Sequence, residues 1–316
     1  MKRIIAVLTA LLLLLGACAF AEEPARKMEF PDNTYVKIDS DYRLGVTQRG
    51  KTVLFTYDAQ TPDGVAYKKS ALVYLPYGYD PEDTETRYNV FYLMHGSGQN
   101  NMEFLKGMGA MSSTSMMLDA MIEKGRIAPT IVVTPTFKIP GYDEGYGASN
   151  FWYELKNYLI PAFESQYNTY AMDVTPEGIH ASRGHRAMGG FSMGSMCTWI
   201  VFSNCLDEIA YYMPIAGGFW GSNSAMGPAM QLADSVAAAG YTKDDFFIYA
   251  GCGGPGDIAY SGMNDLIDSM TQLTDTFVFC ENFRDGNLYY TQCDGGHSRN
   301  TVEMIMYAGL PTFFDK

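Results

Sequence analysis

The stretch Arg186-Ala-Met-Gly-Gly-Phe-Ser-Met-Gly-Ser-Met196 limits what this chain can fold into more than any other. Within it, Gly190-Phe191-Ser192-Met193-Gly194 has the spacing G-x-S-x-G. A strand that reverses sharply into a helix and lifts one hydroxyl above the sheet leaves no room for bulk two residues before or after that serine. The flanks agree with such a turn. Ala187 to Phe191 is short and apolar, as a buried strand is, and Met193 to Asn204 is mostly apolar and lacks proline, as a helix on a sheet is. The five-residue pattern alone arises by chance, so the rest of the chain must supply a base, an acid and a place for developing charge.

The base follows by elimination. On sheets with this turn the order along the chain is Ser, then Asp or Glu, then His. Of the four histidines, His95, His180, His185 and His297, only His297 follows Ser192, and it stands after Gly295-Gly296 in a loop before the last helix. For the acid, Asp207, Glu208, Asp244 and Asp245 fall on helix surfaces or caps, and Asp275 precedes a strand. Asp257 instead follows the strand Phe246 to Ala250 through the loop Gly251-Cys-Gly-Gly-Pro-Gly256, where an acid can orient an imidazole. Asp294 is the alternative, too close to His297 along the chain to reach across its ring. Charge developing on a carbonyl oxygen calls for backbone N–H donors. The strand Tyr88 to Met94 ends in His95-Gly96-Ser97-Gly98, so the N–H of Ser97 (or Gly98) and that of Met193 are the expected pair, with His95 shaping the loop.

Around these loops strands and helices alternate. Strands are expected at 51–57, 70–75, 88–94, 130–134, 187–191, 210–216, 246–250, 276–280 and 287–292. Helices are expected from about Ser112, at 152–166 and 193–204, near 225–239 and 263–273, and from about Thr301. Pro140 to Ser149 and Thr175 to His185 read as loops. This βαβα order, with the chemistry at strand C-termini, predicts an α/β-hydrolase fold: a doubly wound, mostly parallel sheet flanked by helices.

Composition narrows the partners and the compartment. With 47% hydrophobic residues the chain can bury a large core, and no internal repeat splits it. A net charge of −13 with no basic run excludes nucleic acid and an anionic membrane as expected partners. Lys2 and Arg3 precede an apolar run from Ile4 to Leu15, too short for a membrane span and right for an export signal. Ala19-Phe20-Ala21 offers a cleavage site, giving a signal peptide over 1–21 and a secreted protein. Leu15-Gly16-Ala17-Cys18 offers lipidation at Cys18 and a cell-surface lipoprotein, the one case with a membrane partner. Residues 22–48 then form an irregular lead-in to a catalytic domain over 49–316. Export permits disulfides, so Cys252 and Cys293 could be bridged, with buried thiols as the alternative.

Five stretches carry a resemblance: V-Y-L-P-Y-G-Y-D-P (73–81), F-Y-L-M-H-G-S-G (91–98), G-G-F-S-M-G (189–194), D-I-A-Y (257–260) and N-L-Y-Y…G-G-H (287–297). In this order they are similar to the feruloyl esterase modules of carbohydrate esterase family 1, the type attached to bacterial xylanases. The resemblance implies hydrolysis of feruloyl esters of plant cell-wall arabinoxylan through a serine acyl-enzyme, with no cofactor and no metal. It implies Ser192, Asp257 and His297 as the catalytic residues, and Trp220 near the phenolic ring, with Gly98 also at the substrate. Where family members carry bulky aromatics after the catalytic histidine, this chain has Ser298-Arg299, which bears on acyl preference. Other outcomes of the same residues are a carbohydrate acetylesterase, an acyltransferase, or a catalytically silent glycan-binding surface protein.

Overall fold

The computed structural model describes residues 36–43, 46–106, 111–219, 225–280 and 285–314. The expected signal segment, Cys18 and Trp220 lie outside the described residues. One sheet of eight strands runs through them in the order β1-β2-β4-β3-β5-β6-β7-β8. β1 (Lys51–Gln60) and β2 (Ala66–Leu75) form an antiparallel hairpin over the turn Thr61-Pro-Asp-Gly64, and β2 pairs antiparallel with β4 (Thr130–Thr134). β3 (Asn89–Met94), β5 (Arg186–Phe191), β6 (Tyr211–Ile215), β7 (Phe247–Cys252) and β8 (Leu288–Gln292) complete a parallel run with β4. Strands β3 to β7 are buried along their whole length, which is why they read as continuous apolar runs rather than alternations.

Helices cover the sheet. α1 (Ser113–Glu123) packs against α8 (Arg299–Gly309). α2 (Glu144–Glu154) packs on α5 (Met193–Asn204), α5 on α6 (Met226–Ala238), and α6 on α7 (Tyr260–Met270). From β3 the chain crosses to β4 on one side and later returns to β5 on the other. The carboxyl ends of β3 and β5 therefore flank a topological switch point, where open α/β sheets form a crevice.

Three expectations change. The segment 140–149 is not all loop: α2 begins at Glu144, because Asp143 caps it by accepting from the Tyr146 N–H at 2.8 Å. Gly145 and Gly147 hid that helix, and Gly147 is required there, since a Cβ would lie 2.1 Å from the Phe137 carbonyl oxygen. The segment 175–185 holds α4 (Pro176–Ala181), capped by Thr175 with proline in its first turn, after the short α3 (Ile160–Glu164). Residues 276–280 form no strand and pair with β8 only as an isolated bridge, Phe279–Leu288. The Asn287 side chain explains this: it accepts from the Val278 N–H at 2.8 Å and donates to the Thr276 carbonyl at 2.9 Å, taking the place of strand partners.

Candidate active site

Ser192 sits at the joint of β5 and α5 with φ 58° and ψ −116°, a left-handed conformation that costs a non-glycine residue about 1–3 kcal/mol unless its surroundings enforce it. The surroundings do. The Ser192 N–H is tied to the Ile215 carbonyl at 2.9 Å. A Cβ on Gly190 would stand 2.2 Å from the Gly194 carbonyl oxygen, and one on Gly194 would stand 2.5 Å from the carbonyl oxygens of Met94 and His95. The two glycines of the motif thus let the helix start against the strand and against the end of β3. The loop after β6 locks the arrangement, its Gly217 carbonyl accepting from Ser195 Oγ at 2.6 Å and Trp199 Nε1 at 3.0 Å.

Three residues distant along the chain meet here. His297 Nε2 lies 2.8 Å from Ser192 Oγ, and His297 Nδ1 lies 2.8 Å from Asp257 Oδ1. An ionised carboxylate only accepts, so Nδ1 donates to Asp257, the tautomer in which Nε2 faces the serine hydroxyl as acceptor. The Phe191 ring packs against the imidazole with centroids 4.5 Å apart. Burial pushes the Asp257 carboxyl up, but hydrogen bonds from His297 and from the N–H groups of Ala259 and Gly253 outweigh it and hold the group below the usual carboxylate range. Asp257 thus stays charged beside the ring. Asp294 is exposed, and the carboxylate on His297 Nδ1 is that of Asp257.

The loop after β3 brings its own donors. Gly96 donates to Gln99 Oε1 at 2.7 Å, and Gly98 donates to both Glu144 oxygens at 3.2 and 3.1 Å. Ser97 lines the same cleft as Ser192, Met193 and His297, whereas Gly98 does not. Met193 opens α5, so its N–H has no carbonyl within the helix to bond. His95 is buried and lies away from the cleft: Nδ1 donates to the Gly96 carbonyl and Nε2 accepts from the Thr136 hydroxyl, both at 2.7 Å. Burial lowers its pKa to about 4, so it stays neutral and shapes the loop.

The cleft is about 540 Å³, within the usual range for small-molecule sites. Its walls are largely apolar, with Met196, Phe219, Pro228, Ile258 and Leu266, and one carboxylate, Asp265, among them. Ile258 is 84% exposed, a large aliphatic side chain left open beside the charged Asp257. The sequence contained a signal for Ile258, its adjacency to Asp257, that motif reasoning passed over. For Met196, Leu266 and Asp265 no local signal existed, since only the packing of α5 and α7 brings them to one wall. Cys252 and Cys293 are buried thiols and not bridged. Register is the reason: Cys252 pairs with Gln292, so the next residue, Cys293, points to the other face.

Such a site can activate a hydroxyl against a carbonyl carbon and stabilise the oxyanion that results. The comparisons with known proteins agree with that chemistry. A family model described as putative esterase matches residues 67–301. Endo-1,4-beta-xylanase Y of Acetivibrio thermocellus is 38% identical over 296 residues, covering 93% of this chain and 26% of that protein. An endo-1,4-beta-xylanase/feruloyl esterase of Xylanibacter ruminicola is 31% identical over 157 residues, 48% of this chain and 20% of the relative. The chain therefore spans about a quarter or less of the length of these curated relatives. Among solved structures, a mutant of the feruloyl esterase module from Clostridium thermocellum complexed with sinapinate superposes with a TM-score of 0.75 at 38% identity, covering 93% of this chain and 95% of that one. With the fold, the family match and these relatives together, the chain belongs to the putative esterase family and is a serine carboxylic-ester hydrolase of the α/β-hydrolase type.

Proposed function

We propose that this esterase hydrolyses feruloyl and related hydroxycinnamoyl esters of plant cell-wall arabinoxylan through an acyl-enzyme on Ser192. The observation that carries the reading is the relay from Asp257 through His297 to Ser192 at the mouth of an apolar cleft. Ser192 Oγ attacks the ester carbonyl while His297 Nε2 takes its proton, and Asp257 stabilises the imidazolium. The N–H groups of Ser97 and Met193 receive the oxyanion, a contribution of about 3–4 kcal/mol per donor. His297 then protonates the departing sugar alkoxide, and water repeats the sequence to free the acid. A flat aryl acyl group suits walls made of Ile258, Leu266, Met196 and Pro228, with Asp265 able to accept from a phenolic hydroxyl. The name of the Xylanibacter relative and the sinapinate in the Clostridium module support this acyl class.

The test is a panel of esters on the purified protein. Methyl ferulate and feruloylated arabinoxylan oligosaccharides should be turned over with kcat/KM at least ~100-fold above acetylated xylan oligosaccharides, since several buried methylenes and a ring separate the two acyl groups. Faster acetyl release overturns the acyl assignment while leaving the triad in place. We also place the protein outside the cytoplasm, on the Lys2-to-Ala21 targeting pattern. The intact mass of the mature chain decides between a terminus at Glu22 and a diacylated Cys18.

A further inference from the structure

Glu144 is a charged group that the reaction as described does not use, and it stands beside the loop that receives the oxyanion. Its carboxylate reaches from the first turn of α2 to the end of β3. Oε2 accepts from Ser97 Oγ at 2.6 Å, both oxygens accept from the Gly98 N–H at 3.2 and 3.1 Å, and Lys138 Nζ lies 3.0 Å from Oε1. The Ser97 hydroxyl first, then Lys138 and the Gly98 N–H, hold its pKa down at about 2, so it is ionised wherever an esterase works. A negative charge next to a developing oxyanion opposes the reaction unless it is offset and serves a purpose.

The purpose follows from counting donors. Gly96-Ser97-Gly98 is a loop with two glycines, Gly98 at φ 75°, and such backbone has little preference of its own. Three N–H groups could turn toward the cleft. Gly96 gives its own to Gln99 and Gly98 gives its own to Glu144, which leaves that of Ser97. The Ser97 hydroxyl, held by the same carboxylate, fixes which way that residue faces. Lys138 is itself anchored under the loop, its N–H on the Thr136 hydroxyl that also donates to His95.

We propose that Glu144 is a positioning residue: clamped by Lys138, it holds Gly98 and Ser97 so that the Ser97 N–H is the loop's one donor to the oxyanion. The assignment rests on Ser192 being the nucleophile. Glutamate serves here as an acceptor of two hydrogen bonds, with its charge cancelled by the lysine.

Steady-state kinetics with 4-nitrophenyl acetate and with methyl ferulate on the full chain test this. Glu144→Ala should lower kcat by ~10–100-fold, less than outright removal of an oxyanion donor, with KM within about twofold. Glu144→Gln keeps an amide oxygen for Ser97 and Gly98 and should recover most of that loss. Lys138→Met should lower kcat by ~5–10-fold with Glu144 present, where it strands a carboxylate, and cause no further loss beside Glu144→Gln. A wild-type kcat in Glu144→Ala, a rise in KM alone, or a Gln variant as impaired as the Ala variant overturns the proposal. Equal effects of Lys138→Met in both backgrounds overturn it as well. Thermal melts of each variant separate misfolding from misplacement. A silent Ser192→Ala beside a fully active Glu144→Ala rejects the clamp alone, whereas an active Ser192→Ala rejects the reading beneath it.

Discussion

Ser192→Ala should reduce kcat for methyl ferulate by ~10⁴-fold or more and leave the protein folded. The size follows from the geometry. Without the hydroxyl, His297 Nε2 has no proton to accept from a nucleophile, and water would have to be placed by the same cleft without any group to hold it. The oxyanion donors and the binding walls remain, so a residual acceleration over solution is expected rather than none. Stability should hardly change. Among the described residues, Ser192 Oγ bonds to a partly buried histidine, and a bond of that kind contributes about 1 kcal/mol or less. The elbow is enforced by Gly190, Gly194 and the Ile215 carbonyl, none of which the substitution touches. Stopped-flow release of ferulate and a melting curve read both quantities. Undiminished turnover in this variant would exclude the mechanism altogether.

The second large effect lies at the opposite end of β5. Arg186 is buried and uses all five of its N–H donors: Nε and Nη2 on Glu164, Nη2 also on Ser182, and Nη1 on the carbonyls of Ile179 and Glu208. Glu164 in turn accepts from Tyr92 and Thr169 as well as from the guanidinium. Taking two charges out of water gains little by itself, but stranding one of them is expensive. Glu164→Ala should therefore cost about 3–5 kcal/mol in urea unfolding, while kcat per folded molecule stays at its wild-type value. Replacing both partners with apolar residues should cost less than this single change. A loss below about 1 kcal/mol in Glu164→Ala would mean that water reaches Arg186 and that the network is not the brace it looks like.

These two cases mark where sequence reading succeeds and where it stops. Ser192 was legible because steric demands at a strand-to-helix reversal act over five residues, and His297 because no other histidine follows it. Asp257 was legible from its position past the end of a strand. The buried strands were legible as apolar runs. By contrast, α2 begins in a stretch whose glycines argue against a helix, and Gly147 is there for a contact with Phe137 that no local pattern announces. The expected strand at 276–280 had the right residues, but the Asn287 side chain took the partners that it needed. Glu144 and Asp265 become part of the cleft or its rim only through tertiary packing. The Arg186–Glu164 pair is 22 residues apart in sequence and gives no periodic signal. Trp220, expected at the phenolic ring, lies outside the described residues.

The strand order has a consequence for how such an enzyme fails. β8 ends the sheet, and its outer side is covered among the described residues by isolated bridges at Val36 and Phe279. The loop carrying His297 hangs from that border, joined to the Asp257 loop by the bond from the Gly254 N–H to the Gly295 carbonyl at 2.9 Å. Asp257 and His297 therefore sit together past the ends of β7 and β8, while Ser192 follows β5, three strands in from β8. Fraying of that margin would part His297 from Ser192 while the centre of the sheet stays intact, so the bridge between Val36 and Cys293 bears on the working life of the enzyme.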